Sequence, residues 1–276
     1  MTMLVGDIVA GVEPIGRRGA VGSSMTDALV ARAGRGDDGA FAELVDGHRA
    51  ELRVHCYRLL GAVPAAELAL GESLAAAWRA LPAFDGTVPV RGWLHRVATE
   101  VCLSTLRTAP PPLEPPNPPF RPPEPTRTVE PQWFGPFPDA LLVGVPDDTP
   151  GPDARYTAAE SLELAFVAAL QRLTPRQRAV AVLRDVLGFP LADVAAMLAG
   201  PPDAVEEDVA AARTVLDARG PRHSPSRSDE RQLARRFARA FAADDVDGVV
   251  ALLTEDAWLT MQPSPLLYEG GSAIAR

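Results

Sequence analysis

Apolar residues recur at three- and four-residue intervals through Phe41, Leu44, Val45 and Leu52 to Leu59, with His48 in the same phase. That spacing aligns them on one face and predicts a helix over about 40–60. Gly61 to Pro64 breaks the pattern. An Ala-rich helix is predicted over about 65–80, ending before Pro82, and Phe84-Asp85-Gly86 reads as a turn. A third helix runs from about Pro89 to Leu106, with the fixed φ of Pro89 suited to its first turn. Residues 1–24 are Gly-rich and lack any period. The pattern therefore predicts a disordered arm over 1–25, with Met25 as an alternative start, and a helical domain over 26–108.

The period then disappears. Residues 109–152 hold 16 of the chain's 28 prolines, a composition suited to extended polyproline conformation, so 109–156 reads as a linker. Inside it, Trp133, Phe134, Phe137, Leu141 and Leu142 are unusually apolar; they either dock on a partner or pack back on the chain. Helical spacing returns over 157–220. Thr174 caps a helix with Pro175 at its first position, and Gly188 ends it. Leu191 to Leu198 is a short helix, Gly200-Pro201-Pro202 a turn, and Asp203 the cap of a further helix. Helix, tight turn, helix at this spacing is a helix-turn-helix pattern, which purely structural helix pairs share. After a short Ser/Pro/Arg linker over 221–228, the tail over 229–276 opens with an amphipathic helix, Glu230 to Ala243. A helix near Val246 to Leu253 and a strand-like Ala257 to Met261 follow.

Composition narrows the partners. All 27 basic residues are Arg, a bias that reads as a GC-rich genome. The formal net charge of -9 works against nucleic-acid binding unless basic residues cluster locally. Cys56 and Cys102 lie in helical contexts and read as small buried hydrophobes rather than a disulfide or metal pair. Arg17 and Arg18 follow the first apolar stretch instead of preceding it, unlike a signal peptide. No run has the length of a membrane span, so a cytoplasmic protein without membrane attachment is expected. The four histidines form no ligand cluster, although His48 and His55 share a helix face, and no Gly-x-Ser-x-Gly, His-Glu-x-x-His or phosphate-loop pattern occurs. No catalytic residue, metal or cofactor is assigned.

Two segments together resemble one family. Phe41-Ala-Glu-Leu-Val-Asp, His55-Cys-Tyr-Arg-Leu-Leu-Gly, Glu67 to Arg79, Phe84-Asp-Gly and Arg91-Gly-Trp-Leu-His-Arg-Val-Ala-Thr resemble the sigma-two domain of extracytoplasmic-function (ECF) sigma factors. Leu162-Glu-Leu-Ala-Phe, Leu173-Thr-Pro-Arg-Gln-Arg-Ala-Val, Arg184-Asp-Val-Leu-Gly-Phe and the helix-turn-helix resemble the sigma-four domain. The apolar linker and the tail, with Leu252-Leu-Thr-Glu-Asp-Ala and Trp258-Leu-Thr-Met, resemble the subset with a C-terminal SnoaL-like domain, here shortened. The implied fold is mainly α: a sigma-two-like bundle and a sigma-four-like helix-turn-helix joined by the Pro-rich linker, with a partial α+β tail.

The resemblance implies a binding protein, not an enzyme, that holds core RNA polymerase at promoter DNA. Glu67, Leu68 and Glu72 match positions that contact the polymerase, although Leu68 stands where an acid is usual and Gly71 where Gln is. Arg91, Trp93, His95, Arg96, Thr99 and Glu100 match the reader of the minus-ten element, which needs aromatics to stack and Arg for phosphates. Glu100 replaces the usual Asn. Arg176, Arg178, Glu206, Glu207 and Arg213 match the contacts to the minus-thirty-five element in the major groove. There the charge is adverse: five Arg face seven acids over 174–219, and Glu206, Glu207 and Asp208 open the recognition helix. Three readings remain open: an active sigma factor, a degenerate sigma-like regulator that keeps a partner surface without reading promoters, and a SnoaL-like small-molecule enzyme or binding module. The sequence names no anti-sigma partner.

Overall fold

The computed structural model describes residues 23–108, 122–128, 135–141, 154–157, 160–217, 227–255, 257–260 and 266–276. The chain forms two units, one from 1–109 with 134–219, the other from 110–133 with 220–276.

In the first unit, α1 (Ser23–Ala33) leads into α2 (Asp38–Leu60). Asp37 caps α2 by accepting from the Ala40 amide and is itself held by Arg32 at 2.7 Å. Gly61 ends the helix at φ 78, a left-handed conformation that suits glycine. From Leu52 to Leu60 almost every residue of α2 is buried, including His55 and Arg58. Helix α3 (Val63–Ala80) starts two residues earlier than the periodicity suggests, because Pro64 sits in its first turn, where a missing amide costs nothing. Helix α4 (Val90–Thr108) begins one residue after Pro89, whose carbonyl accepts from the Trp93 amide.

The second half of this unit contains α5 (Leu164–Gln171), α6 (Pro175–Ala181), α7 (Leu191–Met197) and α8 (Pro202–Asp217). Thr174 and Gln177 form a reciprocal capping box at the start of α6, as the sequence suggests. After α6 the turn widens over Val182–Val186, with the Leu187 amide reaching the Val182 carbonyl five residues back, before Gly188 reverses the chain at φ 69. The expectation that Asp203 caps α8 is corrected. Pro202 already lies in the helix and the Val205 amide closes on Pro201, so Asp203 sits in the first turn. There its charge still suits the positive helix end. The two helical halves share one contiguous apolar core running from Ala33 to Leu216.

Two questions left by the sequence are settled here. Phe137 is buried and packs on Tyr57 at 4.9 Å between ring centres, and Leu141 lies against the same core, so these linker residues pack back on the chain. The Tyr57 hydroxyl donates to the Gly135 carbonyl. Trp133, Phe134 and Leu142 lie outside the described residues. Cys56 and Cys102 are both buried free thiols, and a hydrogen bond that the Cys102 thiol donates to Cys56, together with burial, holds Cys102 well above its usual pKa.

The second unit contains α9 (Arg227–Ala242), α10 (Val246–Val250), β2 (Trp258–Thr260), β3 (Leu266–Glu269) and α11 (Gly271–Ile274). Its third strand, β1 (Arg127–Thr128), comes from the Pro-rich linker. The antiparallel sheet has the order β1-β3-β2, with Arg127 opposite Leu267 and Leu259 opposite Tyr268. The Thr126 amide donates to Leu267, and the Tyr268 hydroxyl to Pro123. The sequence suggests one strand in the tail; the structure has two and borrows a third. Helix α9 starts inside the expected 221–228 linker and carries an exposed, stacked Phe237–Phe241 pair.

Candidate functional site

Helix α3 presents Glu67, Leu68, Gly71, Glu72 and Ala75 outward, successive positions of one helical face. Leu68 is 72% exposed, and nothing lies within 4 Å of the place a side chain at Gly71 would occupy. The face thus has a flat apolar centre flanked by two carboxylates, of which Glu67 is engaged by Arg53 at 2.6 Å. Such a strip admits close approach of a second helix.

Helix α4 is the opposite case: none of its residues before Arg107 is fully exposed. Trp93 is buried against Phe84, ring centres 4.7 Å apart. His95 and Thr99 are internal, so the expectation that Trp93, His95 and Thr99 offer a surface to DNA is corrected for this state of the protein. Their polar atoms form a network with α2. The Thr99 hydroxyl donates to the His95 carbonyl and therefore accepts from His55 Nε2 at 2.9 Å. His95 Nδ1 donates to the Arg91 carbonyl at 2.8 Å, leaving its Nε2 without a proton 3.7 Å from a Glu51 oxygen. Glu51 in turn is gripped by Arg91. Glu51 escaped the sequence reading because its partners are about 40 positions away and no local spacing signals them. Of the six expected minus-ten contacts, Arg91, Arg96 and Glu100 retain partial exposure, and Glu100 pairs with Arg107 at 3.2 Å.

Both internal histidines are neutral. Burial, opposed by Glu51, pushes His95 down to about 4, and burial with the neighbouring His95 and Arg58 lowers His55 well below its usual value. In the window from about pH 4 to 6.5 the unfolded chain binds more protons than the folded one, so stability falls as pH drops through it. For His95 alone the loss from pH 7 to pH 5 is about 2 kcal/mol, and His55 adds in the same direction. Urea unfolding at pH 7, 6 and 5 should show this slope, and His95→Asn should flatten it. An equal slope in the variant would count against the network.

In the helix-turn-helix, each expected DNA-facing arginine has an intramolecular partner. Arg176 donates to Asp208 at 2.8 Å and lies over the α7–α8 turn, where a side chain on Gly200 would come within 2.6 Å of it. Arg213 makes a two-pronged pair with the buried Asp185, at 2.9 and 2.7 Å. Arg178 is buried, which corrects its expected phosphate contact: its guanidinium donates to Leu170, Gln171, Leu173 and Leu59. The charged residues that α8 exposes fully are Asp203, Glu206, Glu207 and Asp217, all acidic. An acidic face opposes counterion release from DNA, as the sequence suggests. Among the described residues no group of His, Cys, Asp and Glu could hold a metal, and no helix is long and apolar enough to cross a membrane.

Comparison with known proteins matches sigma-70 region 2 to residues 44–109 and sigma-70 region 4 to residues 163–216. The chain is 38% identical over 255 residues to the ECF RNA polymerase sigma factor SigG of Mycobacterium tuberculosis, covering 86% of this chain and 65% of SigG. It thus spans slightly less than two thirds of that relative. It is 33% identical over 196 residues to the RNA polymerase sigma factor CnrH of Cupriavidus metallidurans, covering 69% of this chain and 91% of CnrH. The crystal structure of the M. tuberculosis extracytoplasmic function sigma factor SigJ matches with a TM-score of 0.52 and 26% identity, over 83% of this chain and 71% of that one.

Proposed function

This chain belongs to the ECF branch of the sigma-70 family, and from that premise we propose that it binds core RNA polymerase and directs promoter-specific initiation of transcription. Its action is binding, not catalysis, and its place is the cytoplasm. The observation that carries the reading is the pair of family regions in their proper order, the first of which exposes the apolar, carboxylate-flanked face of α3. Glu67, Leu68 and Glu72 meet the polymerase there. Arg91, Arg96 and Glu100 supply the minus-ten contacts, and α8 approaches the upstream element. The domains act as 26–108 and 157–220, and the tail over 229–276 is the opening of a SnoaL-like domain.

A second reading has its own observation. The acidic outer face of α8 favours a sigma-like regulator that binds the polymerase without reading the upstream element. Purified chain with core polymerase on promoter fragments separates the two. Promoter-specific transcripts support the first reading; core binding without them supports the second; absence of core binding sinks both. Neutralising the helix with Glu206→Gln, Glu207→Gln and Asp208→Asn should raise affinity for duplex DNA about tenfold at low salt and steepen its salt dependence. Unchanged affinity in a gel-shift titration would show that α8 does not approach DNA.

A further inference from the structure

We infer that α9 is a membrane-surface helix: it lies flat among the headgroups of an anionic bilayer, with Leu233, Phe237 and Phe241 turned into the lipid and its arginines on the phosphates. The inference stands apart from the proposed sigma function.

The apolar side of α9 is one row. Leu233, Phe237 and Phe241 follow at four-residue steps along a line about 12 Å long. Phe237 and Phe241 stack with ring centres 5.9 Å apart. All three are exposed, Phe241 by 70%, although β3 of the same unit buries Leu267 and Tyr268. Helix α9 packs chiefly on α10, and every residue from Arg231 to Arg239 is exposed. An amphipathic helix draws most of its stability from burying such a stripe, so the row calls for a cover.

The polar side decides what the cover is. Over Arg227–Ala242 five Arg stand against two acids, in a chain of net charge -9. At about 100° per residue, Arg236 lies to one side of the row and Arg231 to the other, with Arg235 and Arg239 at the back. Arg176, Arg178 and Arg213 are each engaged by groups of other elements. Among the described residues, Arg231, Arg235, Arg236 and Arg239 meet no carboxylate; Arg239 donates to the Arg235 carbonyl of its own helix.

A second copy joined through the row brings arginine-bearing sides together in either orientation, a like-charge contact. Duplex DNA takes the arginines and leaves the row in water. An anionic bilayer satisfies both: hydrocarbon takes the row, and the arginines lay their stems along it and keep their heads at the phosphates. The expectation of no membrane attachment rests on span length, which a helix lying in the interface plane does not need. The acids that follow do not intrude. Asp244 adopts φ 54, a left-handed conformation that turns the chain off the α9 axis, and Asp245 caps α10 by accepting from the Gly248 amide.

The test sediments the full chain with vesicles of phosphatidylcholine alone and of equal parts phosphatidylcholine and phosphatidylglycerol. Affinity for the mixed vesicles should exceed that for phosphatidylcholine by at least ~10-fold, since each arginine near an anionic surface adds to it. The pair Phe237→Ser, Phe241→Ser should lose at least ~10-fold of that affinity, and so should the pair Arg231→Gln, Arg236→Gln. All four side chains are exposed, and a circular dichroism spectrum like that of the parent shows that each variant folds. Failure to sediment with the mixed vesicles overturns the inference, and so does full sedimentation by the serine variant. Two results would name another occupant and overturn it as well. One is self-association lost in the serine variant without lipid binding; the other is duplex DNA binding lost in the glutamine variant without lipid binding.

Discussion

Arg178→Met should lower the free energy of unfolding by about 3–5 kcal/mol, with little change in duplex DNA affinity per folded molecule. The Arg178 guanidinium is buried and its pKa is pushed down to about 10 by that burial, yet no carboxylate is among its partners. Helix ends take the place of a carboxylate. Leu170, Gln171 and Leu173 carry the carbonyls at the end of α5, and Leu59 carries one at the end of α2. Each helix C-terminus holds about half a negative charge, so two of them together offset roughly one cation. Methionine fills the volume but leaves both ends unsatisfied in the interior. Arg178→Lys should recover only part of the loss, because one ammonium lacks the planar fork that reaches carbonyls on two helices. Urea denaturation read by circular dichroism gives the midpoints. A stable Arg178→Met protein with weakened DNA binding would restore the phosphate contact that the sequence suggests.

The same residue shows what the sequence makes legible and what it hides. The Thr174-Pro175 cap, the Gly188 stop and the helix-turn-helix rest on local rules, and all three are present. Arg178 is buried by partners both near in sequence and far: Leu170, Gln171 and Leu173 lie five to eight positions away, but Leu59 lies 119 positions away and has no local signature. His95 and Thr99 look like a polar helix face because three- and four-residue spacing reports only that they share a side. Whether that side meets water depends on α2 and on Phe189. Likewise, β1 is two residues within a Pro-rich stretch, and only its partner β3 makes it a strand. The C-terminal half of α2 loses its period for the opposite reason: it is covered on all sides, so every position tends to be buried. The acidic charge of α8, by contrast, was readable directly, since exposed residues on one helix need no tertiary information.

Arg213→Met should cost about 3 kcal/mol of stability, and more than Asp185→Asn, although Arg213 is the more exposed partner. Asp185 is 1% exposed, lies in the wide turn after α6, and receives both prongs of Arg213 from α8. Removing the arginine strands a buried carboxylate whose remaining cation, Arg155, is 3.8 Å away. Removing the carboxylate charge instead leaves an arginine that turns into water, because its side chain is already 36% exposed. The asymmetry follows from desolvation: the buried member of a pair suffers most from losing its partner. The double variant Asp185→Asn, Arg213→Met should therefore lose at least ~1 kcal/mol less than the sum of the single losses in a double-mutant cycle. Asp185 also holds the chain entering the helix-turn-helix, since its carbonyl accepts from the amides of Arg155 and Tyr156. Loosening that turn moves the axis of α8 against α6, so a drop in DNA binding by Arg213→Met should track the drop in stability. Weaker DNA binding at unchanged stability would mean that Arg213 leaves Asp185 to take a phosphate, and would return it to the reading surface.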